Sequence, residues 1–284
     1  MKYLNLGCGN HYSTAQEWTN IDFVSSGKNV IAHNLLKGID FPANTFDLVY
    51  HSHVLEHFSK IDGENLISEC FRVLKPGGIL RIAIPDLEQI SKKYLQYLEL
   101  GIQNPNDEIV RANYEWMKIE MYDQTVRNSS GGLMGQYLFQ DKIINENFIF
   151  ERIGEEGKAI RQNYLNAKTN KGAFLKTIKK NFIKKNILDF KNKIKSNIKK
   201  MIFDYFKINP ELISIGNFRL GGEIHQWMYD RYSLTKLLSE NGGIEIKVKT
   251  AFSSYLENWS NYNIDGIKQV TRKPDSLFIE CFKK

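Results

Sequence analysis

Cysteine is scarce in this chain: three residues in 284, Cys8, Cys70 and Cys281, with no Cys-x-x-Cys pair. That excludes a disulfide scaffold and a zinc ribbon, and it suits a reducing, cytoplasmic setting. Long apolar runs are missing as well. No stretch of 18 apolar residues occurs, so no segment reads as a bilayer span. The chain opens directly on the strand-like run Tyr3-Leu4-Asn5-Leu6, which is read as leaving no room for a signal peptide. Proline is confined: six in all, and none between Pro105 and Pro210, a long span free of the residue that most readily breaks a helix. What remains is enough for one large domain, or one domain with an elaboration, at ~100–200 residues per domain.

Charge is unevenly spread. The net charge is +7, yet residues 168–200 alone carry twelve lysines, no arginine and one acid, Asp189, for a local +11 that leaves −4 on the rest. A generally basic, nucleic-acid-binding body is therefore disfavoured, and the shortage of arginine and aromatics in the segment argues the same way. Two other readings stand. The segment is an amphipathic basic helix lying on an anionic membrane surface, which would place the protein at the inner face of the membrane. Alternatively, it is a helix packed on the domain with its lysines in water.

Along the first 90 residues strand and helix signals alternate. Strands are predicted at about 3–6, 18–22, 30–32, 46–50 and 79–84, with a helix over 62–74 that stops at Lys75-Pro76-Gly77-Gly78. Alternation of this kind means βαβ units and a parallel sheet. The span after Asp86 reads as helical, including a helix over 106–126 and an apolar stripe over 174–206. The α/β style returns near Leu220, with a Ser-capped helix over 233–241 and strands at 244–248 and 277–282. The expected organisation is an α/β domain made of 1–86 and 216–284, interrupted by a helical insertion over 87–215.

The first strand runs into Gly7-Cys8-Gly9, a tight turn whose glycines let backbone amides approach a ligand. Tyr12 stands where a dinucleotide fingerprint would need its third glycine, so nicotinamide and flavin are disfavoured. Asp22 closes the second strand on the same sheet edge, where a carboxylate can accept both hydrogens of a ribose diol; a turn or cap role is the alternative. Asn34 and Leu35 follow the third strand, placed to meet an adenine edge. His53 and His57 are four apart, but Glu56 is misplaced for His-Glu-x-x-His and no third ligand follows, so no metal is expected.

Taken in order, Leu-Asn-Leu-Gly-Cys-Gly, Asn20-Ile21-Asp22, Phe46–Tyr50 with Val54-Leu55-Glu56-His57, and Arg72–Gly78 resemble a class I S-adenosylmethionine-dependent methyltransferase. The resemblance covers 1–86 well and 220–282 moderately. It implies a Rossmann-like seven-stranded sheet of order 3-2-1-4-5-7-6 with strand 7 antiparallel. It also implies that Gly7, Cys8 and Gly9 wrap the methionine part, Asp22 takes the ribose, and His51 and Ser52 touch the amino-acid end. Departures are visible: Asn5 replaces a common acid, His11 a common glycine, and Asn34 a common Asp. Only 15 residues separate Gly7 from Asp22, so the first helix must be short or missing.

Glu223–Asp230, and more faintly Asp123–Arg127 with Gly131-Gly132, is similar to the branch associated with sugar and polysaccharide biosynthesis. That likeness implies methyl transfer to a hydroxyl of a sugar or glycan precursor, with another small metabolite or a catalytically silent scaffold as alternatives. His225 is the candidate general base, since an imidazole titrates near neutrality, and Asp86 the group that orients it. The competing role for His225 is to hydrogen-bond backbone and anchor the returning segment.

Overall fold

A computed structural model describes residues 1–25, 27–177 and 209–284. Its centre is a seven-stranded sheet of β1 (Tyr3–Leu6), β2 (Trp18–Asp22), β3 (Val30–Ala32), β4 (Phe46–Ser52), β5 (Leu74–Pro85), β6 (Gly243–Lys249) and β9 (Ser276–Lys283). The spatial order is β3-β2-β1-β4-β5-β9-β6. Strands β1 to β5 pair in parallel, while β9 runs antiparallel to both β5 and β6. Counted along the sheet's own strands this is 3-2-1-4-5-7-6 with the last one reversed, as the resemblance implies.

The apolar residues of the central strands explain why they lie inside. Leu4, Leu6, Val49, Leu80 and Ile82 are fully buried on one face beneath α1 (Lys60–Val73). The opposite face carries an aromatic cluster of Tyr3, Trp18, Tyr50 and Trp259. Residues 7–17 contain no helix, so β1 connects to β2 through a loop, as the short spacing requires. α1 starts on Ser59, whose hydroxyl accepts from the Asp62 amide.

Several boundaries shift from the pattern-based expectation, most by one or two residues, and two of the changes have a visible cause. β5 begins at Leu74 and takes in Lys75–Gly78, because Leu74 bridges to Phe46 before the strand resumes at Ile79. The late helix spans Arg231–Glu240 and is capped by Asp230, with Ser233 completing a reciprocal capping box three residues on. Ser233 was the expected cap. It is instead the box's second member.

The described part of the insertion before 178 is helical: α2 (Leu87–Gln103), α3 (Glu108–Val126), α4 (Gly132–Leu138) and α5 (Glu146–Thr177). These pack round a cluster of their own, with Ile90, Trp116, Met117, Leu138 and Ile149 at its centre. After α6 (Pro210–Leu220) the chain re-enters the sheet domain through 221–230 and α7 (Arg231–Glu240). A short hairpin, β7 (Gly266–Ile267) with β8 (Val270–Thr271), precedes β9 and was not expected from the sequence. Of the basic stretch, α5 covers residues up to Thr177. The rest, 178–200, lies outside the described residues, and so does the apolar stripe predicted over 174–206 from residue 178 onward. No helix among the described residues is long and apolar enough to cross a membrane.

Candidate cofactor and acceptor site

Gly7 and Gly9 both take left-handed backbone angles, φ +61° and +53°. A Cβ on Gly7 would lie 2.3 Å from the Val54 Cγ2, so any side chain here would collide as well as strain the turn. Cys8 sits between them, buried, its amide donating to the Ile21 carbonyl at 3.1 Å. Burial, and then the nearby Asp22, push its thiol up to about 11, so it is a packed side chain and not a nucleophile. Asp22 bends back over the turn. One carboxylate oxygen accepts from the Gly9 amide at 2.7 Å and the other from Val24 at 3.4 Å. Asn5 donates towards the His11 carbonyl and Asn20, both at 3.4 Å, and so ties the loop that replaces a first helix.

The turn opens onto a cavity of about 910 Å³, within the size range of small-molecule sites. Gly7, Cys8, Gly9 and Ser52 form one side of it, Glu155, Ile160 and Asn163 of α5 another, and Val270, Arg272 and Lys273 of the hairpin a third. The insertion and the sheet domain therefore build the cavity together. Gly154 makes this closure feasible. Its φ of +60° breaks α5, and Glu155 then donates to the Arg272 carbonyl at 3.3 Å. Lys273 pairs with Glu156 at 2.9 Å, a second tie between helix and hairpin.

The expected site residues fall into groups. Gly7, Cys8, Gly9 and Ser52 line the cavity. Asp22 sits against the turn, while Asn34 caps the short turn of helix at 35–37 by accepting from the Leu36 amide at 3.0 Å, and Leu35 packs on the core. His51 is placed otherwise than expected. It alternates to the opposite face from Ser52, is fully buried, and has neither ring nitrogen hydrogen-bonded. Burial lowers its pKa to about 3, so it is a neutral core imidazole and does not reach the cavity.

The suggested catalytic pair is not assembled. Asp86 caps α2 through the Gln89 amide, and neither it nor His225 lines the cavity. His225 is buried, its amide donating to the Gln124 carbonyl at 2.9 Å and its ring edge-on to that of His57, with centroids 4.9 Å apart. Gln226 donates its amide to the Glu56 carbonyl at 2.7 Å and its side chain to the His57 carbonyl at 2.8 Å. This lacing makes the 224–227 segment an anchor for the returning chain. The imidazoles that do line the cavity are His11 and His53. His53 has both nitrogens engaged, at 2.7 Å from the Ser276 hydroxyl and 3.3 Å from Glu56. Burial holds both rings below the usual imidazole range. Arg272, Lys273 and the α5 face were missed in the sequence because nothing local marks them; only folding brings them to the turn.

Residues 4–82, just over a quarter of the chain, match the model of a family described as a methyltransferase domain. S-adenosylmethionine is the cofactor that this match indicates. Among curated proteins, a probable methyltransferase, ltbC, of Aspergillus luteorubrus is 46% identical over 48 residues, 16% of this chain and 17% of that protein. A probable S-adenosylmethionine-dependent methyltransferase of Mycolicibacterium smegmatis is 38% identical over 56 residues, 20% of this chain and 21% of that one. The chain thus matches about a fifth of the length of these relatives. A crystal structure of a SAM-dependent methyltransferase from Archaeoglobus fulgidus overlaps 99% of this chain and 86% of its own, at 14% identity and a TM-score of 0.37. At that score the overlap carries no argument, and the fold rests on the strand order itself.

Proposed function

We propose that this protein is an S-adenosylmethionine-dependent methyltransferase acting on a hydroxyl of a sugar or glycan precursor. The observation that carries the methyltransferase reading is the single cavity shared by the Gly7–Gly9 turn and the face of α5. Gly7 and Gly9 leave a cradle that a Cβ would fill or strain, so the residues present fit the cofactor's methionine part. In this reading Asp22 exchanges its bond to the Gly9 amide for the ribose hydroxyls, Asn34 and Leu35 flank the adenine, and Ser52 faces the amino-acid end. Bound there, the cofactor supplies an electrophilic methyl group on a sulfonium.

The chain's own contribution is alignment. An in-line displacement needs the acceptor oxygen held opposite the leaving sulfur, and positioning of this kind lowers the barrier by several kcal/mol. Insertion and hairpin wall the acceptor's side of the cavity, so they select what enters. Asn163, Arg272 and Lys273 offer donors suited to an oxygen-rich ligand. The sugar assignment is supported by the likeness of Glu223–Asp230 to the polysaccharide-associated branch.

Calorimetry with S-adenosylmethionine and its demethylated product tests the core of the reading. Wild type is expected to bind, and Asp22→Ala to bind tenfold or more weakly, since a charge-assisted hydrogen bond is worth about 1.5–3 kcal/mol. Absence of binding to both compounds would remove the methyltransferase reading. Turnover to S-adenosylhomocysteine with sugar nucleotides, against amine acceptors as the contrast, decides the acceptor class.

A further inference from the structure

Where the returning segment crosses the turn after β4, three ligand-bearing side chains converge outside the cavity. The donor atoms of Glu56, His57 and His225 all lie within 4.8 Å of one another. Glu56 is 1% exposed, and neither carboxylate oxygen accepts a hydrogen bond; the His53 Nδ1 stands 3.3 Å from Oε1. A buried carboxylate left this way is costly unless a cation or a proton meets it. His57 keeps one ring nitrogen for a ligand. Its Nδ1 lies 3.2 Å from the Ile224 carbonyl, which can only accept, so Nδ1 carries the hydrogen and Nε2 the lone pair. The two formal positive charges nearest the cluster are already matched, Arg127 by Glu223 at 3.5 Å and Lys273 by Glu156 at 2.9 Å.

We propose that Glu56, His57 and His225 form a binding site for a first-row divalent transition metal, zinc foremost, which fastens the 221–230 segment to the turn after β4. Two imidazoles and a carboxylate are a donor set that zinc takes in tetrahedral coordination, with one position left over. Ligands on a tetrahedral zinc with bonds of ~2.1 Å stand roughly 3.4 Å apart, so the donors close by about 1.4 Å at most, within the reach of side-chain rotation. His53 then acts in the outer shell, holding Glu56 while Ser276 holds His53. The sequence hid the site because its third member stands 168 positions beyond His57. This inference does not depend on the acceptor proposed above.

The test uses the whole protein, stripped with EDTA and dialysed. Zinc is expected to bind in one equivalent and, at about a hundred times its Kd, to raise Tm by roughly 5–10 °C. Cobalt is expected to give visible ligand-field bands that zinc displaces. Glu56→Gln and His225→Asn should lose both responses. X-ray absorption at the zinc edge of the wild type needs no variant, and should show two imidazole nitrogens and no sulfur. A sulfur shell, a wild type that takes up no stoichiometric metal, or variants that bind as the wild type does would each overturn the site. Unaltered cofactor binding alongside a failed metal titration would leave the methyltransferase reading standing.

Discussion

Among the described residues Arg81 is the most heavily bonded buried charge, and nothing near it in sequence says so. It sits in the middle of β5 with no exposed surface, between Asp265, to which Nε donates at 2.8 Å, and Glu280, to which Nη1 donates at 2.7 Å. It also donates to the carbonyls of Thr250 and Ser253, and its guanidinium lies 4.6 Å from the Trp259 ring centre. In the sequence it reads as one polar residue in an apolar strand, the kind that normally faces water. Its partners are 184 and 199 residues away. The Gly7–Gly9 turn and Asp22 were legible for the opposite reason, since a ligand-facing strand end is written in a few contiguous residues. Arg81→Met should cost about 3–5 kcal/mol, because it strands two buried carboxylates. Urea titration measures this, and a loss below about 1 kcal/mol would show the cluster to be slack. The double variant with Glu280→Gln should recover part of the loss, as one of the stranded charges is then gone.

At the scale of elements, the central strands were legible as short apolar runs, the pattern of strands buried on both faces, and α1 by its 3.6-residue spacing. The break inside α5 was not, because glycine within a helical pattern carries no sign of its own conformation. Gly154 has φ +60° and ψ −144°, a region all but closed to other residues. A Cβ there would stand 2.4 Å from the Arg272 carbonyl oxygen and 2.6 Å from the Pro274 ring, so backbone would have to move. Gly101, near the end of α2, has nothing within 4 Å of its imagined Cβ. The two glycines therefore predict opposite outcomes. Gly154→Ala should destabilise by roughly 1–3 kcal/mol from backbone strain alone and weaken cofactor binding, since α5 would lift off the hairpin. Gly101→Ala should gain up to about 1 kcal/mol from helix propensity, with binding unchanged. Thermal melts and calorimetry on the pair decide it; equal effects at the two sites would mean the kink is not what seats α5 over the cavity.

For the molecule as a whole, the sheet order was implied by the resemblance that the motifs carry, while the seam between insertion and sheet was not, being made of contacts between distant segments. Asp275 marks that seam. Its carbonyl accepts from the Asp86 amide at 2.9 Å where β5 passes into α2, and its carboxyl is 9% exposed with one oxygen unpartnered. Burial, and then the charge of Glu120 on α3, push this carboxyl up to about 7, against an ordinary 3.8, with Lys273 and Arg152 pulling the other way. The folded state thus holds a proton that the unfolded chain gives up at lower pH. By linkage, this contribution to stability is fully present below about pH 4 and is lost as pH rises through about 7. At 1.36 kcal/mol per unit the loss is on the order of a few kcal/mol by pH 8. Asp275→Asn keeps the shape and removes the ionisation. The variant and wild type should therefore have matching stabilities near pH 4 and diverge as pH rises, with the variant the more stable at pH 8. Parallel stability curves for the two proteins from pH 4 to 8 would mean that Asp275 ionises within the folded seam as easily as it does in water.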